Sequence, residues 1–317
     1  MDVVALGELL IDFTCLSTDE AGYPTMAAHP GGAPANFLAA LSAFGAKTAL
    51  LGKVGTDAFG KLLITTCQKA GIETRGIIAA DDVFTTLAFV TLDERGDREF
   101  SFSRKPGADT QLRFEEADLS LIDEAKVFHF GTLSLTHEPA RSATVKTVAY
   151  AKERGKLITF DPNLRKPLWR DLQEAKNQIL WGLSQADVVK ISDEEVAFLF
   201  DLSPEDGAKH ILEQFGCRLV FVTCGADGCY FRNALGCGHV SALQNITVAD
   251  TTGAGDIFGG SALWKILQTG ASPDSLTESQ LQEIVRFACT AAGLSTTRPG
   301  GISSVPALEA VQLALNP

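Results

Sequence analysis

Short, continuous apolar runs alternate along this chain with stretches of helical periodicity, and this alternation strongly constrains the fold. The apolar runs are VVALGELLID, TALLGKV, KVFHFGT, KLITFDPN, ADVVKIS and RLVFVTCG. Helical patterns lie between them at about 35–44, 59–70, 140–153 and 173–183, and the chain is mostly helical from Asp256 onward. Apolar strands separated by helices are typical of parallel βαβ units. We therefore expect an α/β fold with a doubly wound, mainly parallel sheet and helices on both faces.

One region departs from this pattern. Residues 85–104 form two alternating strands around the polar turn DERGD (93–97), which is a hairpin signal. Together with residues 13–32, the hairpin predicts a small, half-exposed sheet beside the main one. Because these segments are short and discontinuous, we expect one domain over residues 1–317 with a lid formed by about 13–32 and 84–106.

Composition excludes several classes of partner. Lysine and arginine total 27 against 39 acidic residues, a net charge of −12, which argues against nucleic acid or an anionic membrane as a partner. No basic segment precedes the first apolar run, and no apolar run approaches the roughly 20 residues of a membrane span. The seven cysteines contain no C-x-x-C pair, so we expect reduced cysteines and a cytoplasmic protein.

Two glycine-containing stretches match nucleotide-binding motifs only in part. GTDAFGKL (55–62) resembles a phosphate-binding loop, but Leu62 replaces the hydroxyl that would bind magnesium, so we predict a loop leading into a helix. Gly253-x-Gly255-x-x-x-Gly259 resembles a dinucleotide fingerprint, but no strand returns after the helix that follows. Asp256 would also repel a bound pyrophosphate. Dinucleotide binding is therefore not expected.

The stretch DTTGAGD (250–256) lies at a strand-to-helix junction and suggests phosphoryl transfer. Backbone N–H groups of Gly253–Gly255 could hold an anion, and the Asp256 carboxylate could accept a proton from an attacking hydroxyl. The alternative is that Asp256 is an ordinary first-turn residue stabilised by the helix dipole. Other polar residues at the predicted strand ends could each be turn or cap residues, but they would gather at one sheet edge. They are Asp12, Asn163, Arg165, Lys190, Ser192, Thr223, Gly225 and Asp250.

Two motifs connect the chain to a known family. DTTGAGDIFGG resembles the C-terminal signature of the ribokinase-type carbohydrate kinases, and PGGAPANFLAALSAFG (30–45) resembles their N-terminal signature. The similarity covers nearly the whole chain, and RKPGAD with DPNLRKPLW is most similar to the fructokinase branch. The resemblance implies a ribokinase-like fold and ATP-dependent phosphorylation of a primary hydroxyl of a ketose, fructose to fructose 6-phosphate. It further implies a requirement for Mg²⁺ and a site for K⁺.

The resemblance also assigns roles to residues. Asp256 would be the general base, Gly253, Ala254 and Gly255 the anion hole, and Arg165 a cation near the transferred phosphate. Sugar hydroxyls would be bound by Asp12, Gly31, Gly32, Asn36, Arg104 and Asn163, with Arg104 reaching in from the lid. The nucleotide would be bound by Lys190, Thr223, Gly225, Gly228, Cys289 and Gly293. Glu195 would act on Mg²⁺ through water, and K⁺ would be held near Asp250, Thr252, Ser295, Arg298, Gly300 and Ser304.

Several alternatives remain open at this stage. The family commonly has asparagine three residues before the magnesium-associated glutamate, and Ser192 stands there instead. A 2-keto-3-deoxygluconate kinase or an aminoimidazole riboside kinase would carry closely similar motifs. A non-catalytic sugar-sensing or assembly protein would be expected to have lost the base or the glycine loop, and both are present. Since the lid sheet would expose an apolar face, we also expect a homodimer that forms through the lid.

Overall fold

The structure, a computed structural model, describes residues 1–92 and 98–316, so the predicted DERGD turn lies outside it. Within these residues a ten-stranded sheet has the order β14-β13-β12-β11-β10-β9-β1-β4-β5, with β6 also paired to β4. Its strands are β1 (Val3–Leu6), β4 (Thr48–Gly55), β5 (Ile72–Glu73), β6 (Ile77–Ala80), β9 (Val127–Gly131), β10 (Leu157–Asp161), β11 (Val188–Ser192), β12 (Leu219–Thr223), β13 (Cys229–Asn233) and β14 (Cys237–Val240). In this sheet all described neighbours pair in parallel except β12 with β13 and β13 with β14, which are antiparallel.

Helices cover both faces of this sheet, as the alternation of strands and helices predicted. They are α1 (Ala33–Ala43), α2 (Ala58–Lys69), α3 (Leu119–Glu124), α4 (Ala140–Glu153), α5 (Leu172–Gln185), α6 (Asp193–Phe200), α7 (Pro204–Phe215), α8 (Ala254–Thr269), α9 (Glu278–Ser295) and α10 (Leu308–Leu315). Side chains alternate between the faces of a strand. In β1, Val4 and Leu6 therefore join the core under α4–α7, whereas Val3 and Ala5 join the core under α1, α2 and α8.

A second, four-stranded sheet has the order β3-β2-β7-β8 and contains β2 (Leu10–Thr18), β3 (Pro24–Gly31), β7 (Thr86–Leu92) and β8 (Arg98–Ser103). This is the sheet expected from residues 13–32 and 84–106, and it is called the lid below. Strands β2 and β7 are parallel, while β3 and β8 pair with them in antiparallel fashion. The treatment of residues 1–317 as a single domain stays a prediction.

The first apolar run, VVALGELLID, differs from expectation because it supplies two strands instead of one. The chain leaves the main sheet after Leu6, where Gly7 lies so close to α1 that a Cβ would be 2.5 Å from Pro34 Cγ. Glu8 Oε1 then accepts the Ala33 N–H at 2.9 Å, and the chain enters the lid. The placement of Asp12 at a strand end of the main sheet was therefore wrong: Asp12 lies inside lid strand β2.

The structure also bears on three further predictions, namely a loop at 55–62, reduced cysteines and the lack of a membrane-spanning segment. The loop leads into α2 as predicted, with Asp57 at the N-cap accepting hydrogen bonds from the Phe59 and Gly60 N–H groups. All seven cysteines are free thiols. Among the helices in the described ranges, none combines the length and the apolar character that crossing a bilayer requires.

Candidate active site

A cleft of about 850 Å³ opens at the carboxyl ends of β10, β11 and β12. All six residues assigned to the nucleotide line it, namely Lys190, Thr223, Gly225, Gly228, Cys289 and Gly293. Asn163, Arg165, Glu195 and Gly255 also face the cleft, as does the irregular segment 242–246. That segment was missed from sequence because it carries no recognisable motif. Gly293 is required by close packing, since a Cβ there would lie 2.7 Å from Leu243 Cβ.

One wall of the cleft is the N-terminus of α8. Gly253 precedes this helix with a φ of 77°, a left-handed conformation that glycine adopts without strain. The first intrahelical hydrogen bond runs from the Ile257 N–H to the Gly253 carbonyl at 2.9 Å. No acceptor in residues 1–92 or 98–316 takes the N–H groups of Gly255 or Asp256. These N–H groups and the helix dipole therefore favour an anion at this point.

Asp256 is buried beside Asn36, which lies in the first turn of α1. Asn36 Nδ2 donates to Asp256 Oδ2 at 2.9 Å, so the amide fixes the orientation of the carboxylate. Asn36 Oδ1 is buried and has no hydrogen-bond partner among the described atoms. Gly301 packs against the same amide, since a Cβ there would lie 2.3 Å from Asn36 Oδ1. An unpaired buried acceptor is costly, so this oxygen is suited to accept a ligand hydroxyl.

Burial raises the pKa of Asp256, and Lys190, the Asn36 amide and Arg165 oppose that effect. A carboxylate with an elevated pKa is a stronger base than an exposed one. Burial likewise raises the pKa of Asp12 to about 6, with Arg165 lowering it and Asp256 raising it. Asp12 and Arg165 are thus close enough to Asp256 for electrostatic coupling. The predicted base, sugar carboxylate and cation therefore gather at one place.

Gly31 brings the backbone close to Asp12. A Cβ at Gly31 would lie 2.3 Å from Asp12 Oδ2, and a Cβ at the next residue, Gly32, would lie 2.3 Å from the Glu8 carbonyl oxygen. The φ of 121° at Gly32 is also a conformation that other residues rarely adopt. Both predicted glycines are thus required locally, and they leave room for a ligand beside the Asp12 carboxylate.

Lys190 lies under the N-terminus of α8 and pairs with Asp161 at 3.0 Å. Its Nζ is 2.9 Å from the position that a Gly255 Cβ would occupy. Burial opposes the Lys190 charge, but the carboxylates of Asp161, Glu195 and Asp256 raise its pKa overall. Burial and the neighbouring Glu195 raise the pKa of Asp161, against the effect of the Lys190 ammonium. Asp161 begins the DPN motif but was not predicted as a site residue.

Glu195 forms a capping box with Ser192 at the start of α6. Ser192 Oγ accepts the Glu195 N–H at 3.2 Å, and Glu195 Oε2 accepts the Ser192 N–H at 2.8 Å. Glu195 Oε1 accepts the Leu164 N–H at 2.7 Å. Each carboxylate oxygen keeps a lone pair, which suits contact with a hydrated cation better than direct ligation. The described residues contain no group of three or more His, Cys, Asp or Glu side chains placed to ligate a metal.

Three of the residues assigned to a monovalent cation meet directly. Asp250 Oδ2 accepts the Gly300 N–H at 3.0 Å, while Oδ1 accepts the Thr252 N–H at 2.9 Å and its hydroxyl at 2.7 Å. Ser295 and Ser304 are buried and donate their hydroxyls to main-chain carbonyls nearby in sequence, and Arg298 is exposed. The Asp250 carboxylate therefore ties the loop before α8 to the loop after α9.

The family resemblance implies that Arg104 reaches into the sugar site from the lid, and in the structure its side chain is buried. Its guanidinium is buried in a network with Asp109, Thr136 and the Leu133 carbonyl. The network joins the base of the lid to the turn after β9. A direct contact between Arg104 and a sugar stays a prediction.

Glu8, which was not predicted as a site residue, is buried beside the start of α1. Burial raises the pKa of Glu8 to about 7, while the N–H groups of Glu8 and Ala33 oppose this and the charges of Asp109 and Asp256 add to it. The motif GELLID contains this residue but gives no sign that the carboxylate turns inward. Its hydrogen bond to Ala33 sets the start of α1 and hence the position of Asn36.

Replacing Glu8 with glutamine is expected to make stability less dependent on pH. Between its unfolded pKa of about 4.5 and its folded pKa of about 7, the folded wild type holds more protons, so its free energy of unfolding falls as pH rises. Glutamine can still accept the Ala33 N–H. Urea unfolding should therefore show similar stabilities near pH 4.5 and an advantage for Glu8→Gln on the order of 3 kcal/mol at pH 8. If the free energy of unfolding of both proteins changed in the same way with pH over this range, the raised pKa of Glu8 would be contradicted.

Comparison with known proteins shows the family to which this chain belongs. The profile of the pfkB family of carbohydrate kinases matches residues 1–308. The chain belongs to this family. Fructokinase-2 of Solanum lycopersicum is 42% identical over 315 residues, which cover 98% of this chain and 95% of that protein. This pfkB-family protein is therefore an ATP-dependent carbohydrate kinase.

Two solved structures share this pfkB fold over nearly their whole length. Fructokinase with bound ATP from Xylella fastidiosa superposes with a TM-score of 0.91 at 30% identity, covering 99% of this chain and 98% of that one. Fructokinase from Vibrio cholerae O395, bound to fructose, ADP and a calcium ion, gives a TM-score of 0.85 at 31% identity and covers 100% and 99%. The ribokinase-like fold predicted from the two signatures is thus confirmed.

Proposed function

We propose that this kinase transfers the γ-phosphoryl group of ATP to the primary hydroxyl of fructose, giving fructose 6-phosphate. The observation that carries the proposal is the meeting of three features between the lid and the cleft. They are the oriented carboxylate of Asp256, the unpaired Oδ1 of Asn36 and the free N–H groups at the start of α8. Similarity to fructokinases supports the choice of sugar.

In the proposed mechanism the sugar lies under the lid, against Asp12, Gly31, Gly32 and Asn36, and ATP occupies the cleft. Asp256 accepts the proton of the attacking hydroxyl. A bond then forms between that oxygen and the γ-phosphorus, while the bond from the γ-phosphorus to the bridging oxygen breaks and ADP leaves. The N–H groups of Gly253–Gly255 stabilise the transferring group, with the Ala254 N–H released from its 3.3 Å bond to the Thr251 carbonyl, and Lys190 and Arg165 add positive charge.

The residues present also fit the cations that the family resemblance implies. Bound Mg²⁺ would neutralise charge on the ATP phosphates. Glu195 would orient it through water, because both carboxylate oxygens are already fixed by backbone N–H groups. For K⁺, we assign the region where Asp250 links Thr252 and Gly300, with main-chain oxygens as ligands. The free cysteines support a reducing, cytoplasmic location.

The test is an ADP-release assay with purified protein and separate sugar acceptors. The acceptors are fructose, 2-keto-3-deoxygluconate, ribose and adenosine, with aminoimidazole riboside as a fifth. We expect the highest kcat/KM for fructose, with phosphate found on the 6-hydroxyl by NMR. A higher kcat/KM for any other acceptor would refute the fructose assignment. No ADP release above the sugar-free rate with any acceptor would support the non-catalytic alternative.

We further propose that two copies associate through the lid. Large apolar side chains are exposed at or beside the lid, with Leu16 66%, Tyr23 71% and Phe84 57% exposed. Sheet surfaces of this kind commonly pair with another copy. Sedimentation at micromolar concentration should show a dimer, and Leu16→Glu should shift it towards monomer. Only monomer for the wild type would count against lid pairing, whereas an unaffected Leu16→Glu dimer would place the interface elsewhere.

A further inference from the structure

The base of the lid contains a buried ion pair that the mechanism does not use. Arg104 Nη2 lies 2.6 Å from Asp109 Oδ2, and Arg104 Nε donates to the same oxygen at 2.8 Å. The two side chains are only 2% and 1% exposed. Because water is excluded, the two charges attract each other strongly, and each offsets much of the other's effect on a nearby ligand.

The remaining donors of Arg104 are largely occupied. Nη1 donates to Thr136 Oγ1 at 2.8 Å, and Nη2 donates to the Leu133 carbonyl at 2.9 Å. The other oxygen of Asp109 accepts the Thr86 hydroxyl. A guanidinium has five N–H groups, and here only one on Nη1 has no protein acceptor in the described part of the chain. Arg104 therefore cannot form the two-pronged contact with a ligand carboxylate for which arginine is suited.

The pair contacts β7, the lid strand that pairs with β2, and β2 carries Asp12. Asp12 lies opposite Ala88, and Ala88 lies opposite Phe102. Arg104 follows directly after the end of β8 at Ser103, and its partner Asp109 accepts the hydroxyl of Thr86, the first residue of β7. Asp109 also raises the pKa of Glu8, as Asp256 does, so the Asp109 carboxylate and Asp256 act on the same buried group.

We propose that Asp109, by neutralising Arg104, restricts the site to uncharged sugars and excludes sugar acids. This inference rests on the proposed function, since it assumes that a sugar binds beside Asp12. The other groups around that position strengthen the effect. The charges of Asp250 and Asp256 both raise the pKa of Asp12, and Arg165 is the cation that lowers it. A sugar carboxylate would therefore meet mainly negative charge unless Arg104 were available to it.

The test compares a neutral sugar with a sugar acid in an Asp109→Asn variant. Asparagine has the same shape and still bonds Thr86, but it leaves the Arg104 charge uncompensated. The probes are fructose and 2-keto-3-deoxygluconate. The ratio of their kcat/KM values, fructose over acid, is expected to fall by about ten- to a hundredfold, chiefly through a lower KM for the acid. An unchanged ratio would overturn the proposal. Asp109→Ser provides the same comparison should Asp109→Asn fail to fold.

Two further variants separate charge from lid structure. Asp57→Asn is the matched control, because Asp57 Oδ2 accepts the Thr85 hydroxyl and N–H at 2.9 Å, next to the Thr86 bond of Asp109, with no arginine involved. It should leave the ratio unchanged, and an equal fall would show that the effect is structural. In the double variant Arg104→Gln/Asp109→Asn the cation is gone, so the ratio should return to the wild-type value. A ratio that stays low would also overturn the proposal.

Failure of the proposed function has a different outcome, namely that the wild-type protein phosphorylates no neutral sugar. Calorimetric binding of 2-keto-3-deoxygluconate, without ATP, would still be compared between the wild type and Asp109→Asn. Tighter binding to the variant would support the role of Asp109 even then, and equal binding would refute it.

Discussion

Asp256→Asn is expected to lower kcat by about 10²- to 10⁴-fold, the usual contribution of a general base, while the protein still binds fructose. Asparagine cannot accept the hydroxyl proton, but its amide oxygen can accept the Asn36 amide hydrogen that Asp256 Oδ2 accepts at 2.9 Å. Calorimetry should give a dissociation constant for fructose within a few-fold of the wild type. Because burial raises the pKa of Asp256, the variant should also unfold at a higher temperature near pH 7.

Glu278→Gln is a matched control for this substitution. Glu278 also lies in the first turn of a long helix, α9, so its replacement removes the same charge from a comparable position in the helix dipole. Its kcat should stay close to that of the wild type. Near-full turnover by Asp256→Asn would refute the assignment of the base, whereas an equal loss in both variants would indicate a dipole effect only.

Lys190→Met is expected to lower kcat about 10²- to 10³-fold and also to destabilise the fold. The catalytic loss follows from removing a positive charge beside Gly255, where the transferring phosphoryl group would lie. The loss of stability follows because Asp161 would be left buried without its cation, a change that typically costs about 3–5 kcal/mol. Steady-state kinetics and urea unfolding measure the two effects separately.

The double variant Lys190→Met/Asp161→Asn distinguishes these two effects. Removing both charges should recover most of the stability and none of the activity. Lys126→Met is the surface control, because Lys126 pairs with Asp2 at 2.9 Å but is 70% exposed. It should change stability by less than about 1 kcal/mol. Recovery of turnover in the double variant would show that Lys190 matters only for folding.

The fold could be predicted largely because its strands are short and continuously apolar. The same property explains the error in the first run. A continuous apolar run carries no sign of where one strand ends and another begins, so the break at Gly7 could not be seen. The break depends on Pro34 and Ala33, which approach residues 7 and 8 only after α1 has packed.

The candidate site was predictable where a motif brings its own geometry. The junction at residues 250–256 and the spacing of Ser192 and Glu195 both specify local hydrogen bonds that the structure contains. Contacts between distant segments could not be predicted from the spacing within a motif. Lys190 and Asp161 are 29 residues apart, and only the pairing of β10 with β11 brings them together. Even Arg104 and Asp109, five residues apart, pair through a turn whose shape the sequence does not reveal.

The lid consists of two separate insertions, one between β1 and α1 and the other between β6 and α3. Each has its own anchor, Glu8 to Ala33 for the first and Asp109 to Arg104 for the second. Exchange of specificity between members of this family, by recombination or by design, therefore cannot proceed by grafting one continuous segment. If only the first insertion were transplanted, its strand β2 would have to pair with the β7 of the recipient protein. Functional chimaeras should therefore carry both insertions with both anchors.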